Sequence, residues 1–203
     1  MRFRQERFSS VKHTDSKSEK RPLSSMSICQ IALAGAMISV ISMVSIPLPF
    51  GVPITMQTMA VGLAGLALGQ KKGTAAVVVY LALGAIGLPV FSGMSGGFAK
   101  LLGATGGFLW GFPAMASFAG LGASTGTKRG VALGMLMGIF VNYSLGLAQF
   151  MFVTGSSLQA GLMACVLPFL PIETVKAVAT AALGMDLRRR LRAQSWYDET
   201  KDW

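Results

Sequence analysis

Long apolar runs, separated by short basic or glycine- and proline-rich breaks, dominate the chain. Six runs are long enough to be read as membrane-spanning helices: about 27–46, 54–68, 74–88, 106–121, 131–153 and 171–187. The last spans roughly 25 Å at 1.5 Å per residue, enough for a thin span. Its Pro171 suits a first helical turn, where a missing N–H is no loss. Pro47-Leu-Pro-Phe-Gly-Val-Pro53 cannot be regular helix, since each proline removes a donor and pushes its predecessor toward extended geometry. The stretch 89–103 holds too many glycines for a lipid-facing helix. The run 158–167 is apolar but too short to cross alone.

Charge fixes an orientation for this pattern. Of 18 Lys and Arg, seven precede residue 22, two are Lys71 and Lys72, two are Lys128 and Arg129, and five follow Asp186. Six spans with both termini in the cytoplasm put all of these on the inner side, as the positive-inside rule requires; an odd span count would not. Only Lys100 and Lys176 remain. The expectation is an all-α membrane protein with a basic, disordered cytoplasmic tail over 1–26, a six-helix domain over 27–187 and a basic cytoplasmic tail over 188–203. A hydrophobic fraction of 52% and a mean hydropathy of +0.57 agree with a polytopic membrane protein. The formal charge of +10 then reflects membrane asymmetry rather than a nucleic-acid partner.

The outer half of the bundle collects the remaining polar groups. Glu173 is the only acidic residue between Arg21 and Asp186, and charge at membrane depth is costly. Lys176 lies three residues on, so the two can touch on one helix face. They form either a self-neutralising structural pair or a site for a ligand with polar ends, with Glu173 favoured by the helix N-terminus. Gln57 begins the second run. Asn142 and Gln149, seven residues apart on the fifth, share a face. Gln57 and Asn142 read equally as interhelical glue. Tyr143 joins the candidates, as do Phe50, Phe91 and Ser92 from the outer loops, where the aromatics could also be interfacial anchors. Ala32-Leu-Ala-Gly-Ala36 carries a small-xxx-small spacing, which alone implies only close helix packing. The two cysteines, Cys29 and Cys165, lack metal-ligand spacing. The single histidine, His13, lies in the tail and no Walker A sequence is present, so neither a histidine triad in the membrane nor P-loop ATP hydrolysis is expected.

Several of these motifs, in this order, resemble one family. Pro47-Leu-Pro-Phe-Gly-Val-Pro-Ile-Thr-Met-Gln-Thr58, Gly69-Gln-Lys-Lys-Gly73, Gly87-Leu-Pro-Val-Phe91, Gly103-Ala-Thr-Gly-Gly107 and Pro168-Phe-Leu-Pro171 are similar to BioY, the biotin-specific S components of energy-coupling factor (ECF) transporters. The resemblance covers about residues 27–183. It implies the six-helix S-component fold and a biotin site opening outward. It also implies partners: a transmembrane coupling protein and two ATPase subunits in a bacterial inner membrane. Ala32 and Ala36 would then face the coupling protein. The family's sixth helix usually reads Pro-Gly-Asp-x-x-Lys. Here Lys176 matches, Glu173 stands for Asp with a longer arm, and Ile172 stands for Gly. The acid is expected to meet the ureido ring of biotin, and the lysine the region of its carboxylate. The Pro-rich loop could close over the ligand.

The expected function is therefore biotin uptake, with biotin as transported ligand rather than cofactor and no resident metal. A stand-alone or proton-coupled carrier, with Glu173 titrating, is the alternative. A membrane enzyme would need a metal or nucleophile cluster that the sequence does not display.

Overall fold

The computed structural model describes residues 24–46 and 52–193. The expected tails, except for their helical ends, and the loop position Phe50 lie outside the described residues. Within them the chain is helical: α1 Ser25–Ser42, α2 Gln57–Ala85, α3 Phe98–Leu102, α4 Gly106–Ser124, α5 Lys128–Thr154, α6 Leu158–Cys165 and α7 Leu170–Ala193. A two-residue antiparallel ladder joins β1 (Ser45–Ile46) to β2 (Ile54–Thr55), pairing Ser45 with Thr55 and Ile46 with Ile54. The first apolar run thus ends its helix at Ser42, and its last residues become strand ahead of the proline-rich loop.

The second and third runs form α2, broken at Gly69, where φ is 82°. That left-handed geometry suits glycine, which has no Cβ to clash. The chain folds back there. Gly73 rests against the backbone of Ala64 and Gly65, a contact no straight helix could make across so many residues. Each remaining run coincides with a helix: α1, α4, α5 and α7. By length and apolarity, α1 and α5 qualify as membrane spans, joined by the α6–α7 pair, which bends by 51°, if that pair is one broken span. The arms of α2 are short and α4 is diluted by glycines and Pro113, so they carry their apolarity inward rather than in one long lipid-facing run.

Packing explains that composition. α4 lies between α2 and α5, and α2 also receives α1 and α7. Leu66, Val77, Tyr80, Phe112, Met115 and Ala119 are buried in the shared core. Phe140, Phe152, Val175 and Val178 point outward, as a lipid-facing surface requires, since no hydrophobic gain favours hiding them in a bilayer. A smaller apolar cluster of Val52, Cys165 and Phe169, with Phe108 and Tyr143 against it, caps the end that carries β1 and β2. α7 stays helical beyond the expected end of its run at 187, carrying Arg188–Arg190 on helix rather than on tail.

Candidate functional site

The residues around α7's first turn build a small cavity beneath that cap. α7 starts as the chain bends away from α6, and the Glu173 N–H bonds the Phe169 carbonyl at 2.8 Å. One turn on, the Lys176 ammonium meets the Glu173 carboxylate at 2.6 Å. It also donates to the Thr55 carbonyl at 3.0 Å and the Thr58 hydroxyl at 2.8 Å. A lysine has three N–H donors, and all three are thus engaged. The side chains are 6% exposed for Glu173 and 13% for Lys176. The pair fastens α7 to the start of α2. Ile172 is 38% exposed and does not line the cavity, so its departure from the family pattern falls outside the site.

α2 contributes Gln57, buried, whose amide donates to the Tyr80 hydroxyl at 2.7 Å. Tyr80 in turn meets Phe91 edge to face at 5.6 Å. Phe91 sits at the base of a tight hairpin whose backbone pairs it with Ser95, and Ser92 follows it into the lining. α5 contributes Tyr143 and Asn142. Tyr143 packs edge to face on Phe108 at 5.6 Å and lines the same cavity as Glu173.

Among the residues lining the cavity, Asn142 is the unusual one. It is 0% exposed, and neither its carbonyl oxygen nor its amide nitrogen has a hydrogen-bond partner within the protein. Buried polar groups are otherwise nearly always satisfied, and an orphaned one costs about 1–3 kcal/mol. It is held there by close approach of α4. A Cβ at Gly111 would strike the Asn142 carboxamide and Cα. Interhelical glue is thus the wrong description of Asn142: it bonds neither neighbour.

The structure brings Gln57, Phe91, Ser92, Asn142, Tyr143, Glu173 and Lys176 to one cavity of about 70 Å³. It adds residues that the sequence reading does not place in the site, Lys100 among them although its charge sets it apart. Thr55 and Thr58 flank Gln57 and hold the lysine. Lys100 supplies a second cation, while Phe108 and Cys165 supply apolar wall. The threonines could have been suspected from their place beside Gln57, but only the fold shows that α7 reaches them. Gln149 is not in the lining. Its amide bonds the carbonyls of Leu101 and Gly103, both at 2.8 Å, and so pins the glycine-rich connection to α5. Lys72, expected in a basic loop, is buried and bonds Gln30 of α1 at 2.9 Å. Ala32 and Ala36 are exposed on α1, while Ile31, Gly35 and Ile38 turn into the bundle. The small-residue face therefore does not serve packing inside the bundle.

A volume near 70 Å³ is well below the roughly 300–1,000 Å³ of typical small-molecule sites. Among the described residues no three His, Cys, Asp or Glu side chains gather as metal ligands would.

Residues 14–193 match the BioY family. A probable biotin transporter BioY from Pyrococcus horikoshii is 42% identical over 156 residues, covering 75% of this chain and 90% of its own. The biotin transporter BioY of Rhodobacter capsulatus is 38% identical over 168 residues, covering 76% and 88%. The fold matches a crystal structure of the S-component for biotin from an ECF-type ABC transporter. The TM-score is 0.73 at 29% identity, over 80% of this chain and 90% of that one. This apolar bundle with its capped polar cavity is a membrane protein, and the chain belongs to the BioY family.

Proposed function

We propose that this chain takes up biotin as the substrate-binding S component of an ECF-type transporter. The observation that carries the reading is Asn142, a buried carboxamide with both donor and acceptor unanswered. A cyclic urea offers N–H beside C=O and can answer both at once. The apolar walls from Phe91, Phe108 and Phe169 suit a ring and aliphatic tail, and Lys176 and Lys100 suit a carboxylate. Glu173 can accept from the second ureido N–H. The two ends of biotin are then met by separate groups rather than by the Glu173–Lys176 pair alone. Relatives named as biotin transporters and the S-component neighbour support the same ligand.

The chain acts as a carrier, not an enzyme, and works as a multi-pass protein of a bacterial inner membrane. Energy comes from a transmembrane coupling protein and two ATPase subunits. The exposed Ala32 and Ala36 on α1 let the coupling protein's helices approach closely.

Calorimetry on the detergent-purified chain tests the ligand. Biotin should bind tightly to the native chain and about 30–100-fold more weakly to Asn142→Leu, which removes two hydrogen bonds. Absence of binding by the folded native chain would refute the assignment. Uptake that persists without any coupling module and is abolished by an uncoupler would instead make the protein a proton-coupled carrier.

A further inference from the structure

The opposite end of the bundle holds a second and larger cleft of about 500 Å³. One wall is the start of α5, with Lys128 and Val131. The facing wall is α7, with Asp186, Arg188 and Arg189, and Leu66 of α2 closes the floor. We propose that this cleft binds the phosphodiester headgroup of an anionic phospholipid in the cytoplasmic leaflet.

Charge is the first argument. Among the described residues the exposed Lys128 and Arg189 face one carboxylate in the lining, Asp186, which pairs with Arg190 at 2.8 Å. Position is the second. Lys128 and Arg129 open α5, whose first turn contains no acidic residue. Cations there oppose the helix dipole, which favours an anion at that end. A bound phosphate relieves the mismatch and screens Lys128 from the arginines across the cleft.

Rigidity is the third. Arg188 is 9% exposed and donates to the Leu66 carbonyl at 2.9 Å. Leu66 lies in the last turn before the break at Gly69, where helix carbonyls lose their partners in the next turn. The break in α2 therefore anchors the arginine that floors the cleft, and Arg189 is carried beside it.

The surroundings choose a lipid over a free anion. Leu183 and Leu187 on α7, within three residues of the lining positions Asp186 and Gly184, expose apolar side chains, a surface for acyl chains. The charge asymmetry of the chain puts this end at the cytoplasmic face, where anionic lipids and basic interhelical pockets meet.

Native mass spectrometry of the full chain, in detergent with added lipid, tests the proposal. Phosphatidylglycerol should be retained at least 10-fold more strongly than phosphatidylcholine. Lys128→Gln with Arg189→Gln, both exposed positions, should cut that retention at least 10-fold with an unchanged thermal unfolding midpoint, which reports the fold independently of any biotin binding. Equal retention of the two lipids, or a double variant that keeps phosphatidylglycerol as the native chain does, would overturn it. Displacement of the lipid by millimolar inorganic phosphate would also overturn it, assigning the cleft to a free anion.

Discussion

The two ends of this bundle use charge in opposite ways. At one end, Glu173 and Lys176 are buried and matched to each other, with every lysine donor engaged. The cavity they close is small, and its unanswered group is the neutral Asn142. At the other end the cleft is large, and its described lining presents the exposed cations Lys128 and Arg189. In the proposed reading the small cavity selects by hydrogen-bond pattern, because a ligand that answers the orphan carboxamide gains from entering. The large cleft, in the same reading, selects by charge. The first suits a small vitamin held tightly, the second a headgroup supplied in excess by the surrounding leaflet.

The contrast can be broken most severely at the matched pair. Lys176→Ala leaves Glu173 buried without its cation and should destabilise the chain by about 3–5 kcal/mol, read by thermal unfolding. Glu173→Gln with Lys176→Met removes both charges and should restore most of that stability while biotin binding stays lost. Full recovery of binding in the double variant would make the pair purely structural.

Asn142→Leu sharpens the comparison. It should weaken biotin binding by about 2–3 kcal/mol and yet unfold at the native temperature or above, because an unsatisfied buried group is gone. A loss of stability equal to the loss of binding would show that Asn142 supports the fold instead. Gly111→Ala drives a methyl into the Asn142 carboxamide and should destabilise the α4–α5 contact by about 1–3 kcal/mol, with weaker binding measured alongside.

The smallest expected effect is at the basic end. Lys128→Gln with Arg189→Gln should leave biotin affinity within about 0.5 kcal/mol of native, as distant sites with no shared partner are independent. A larger change in calorimetry would couple the two ends through α7, the helix they share.

The amino-acid sequence by itself determined the class of protein and where its helices lie. Apolar runs of this length, with basic residues confined to alternate breaks, have few other solutions in a bilayer. It also singled out Glu173 and Lys176, because a charge within an apolar run is conspicuous, and motif order pointed to the family. Tertiary structure decided what each polar group does. Asn142 and Gln149 share a helix face and a chemistry, yet α4 leaves the first unpaired in a cavity while the second pins carbonyls of a loop. Lys71 and Lys72 are neighbours in sequence, yet one is exposed and the other buried against α1. Thr55 and Thr58 joined the site only because α7 returns across more than a hundred residues to meet them. Local sequence fixes hydrophobic period and charge, which act within a turn or two. Which donor finds which acceptor depends on long-range packing of helices, and that packing is set by the small residues between them.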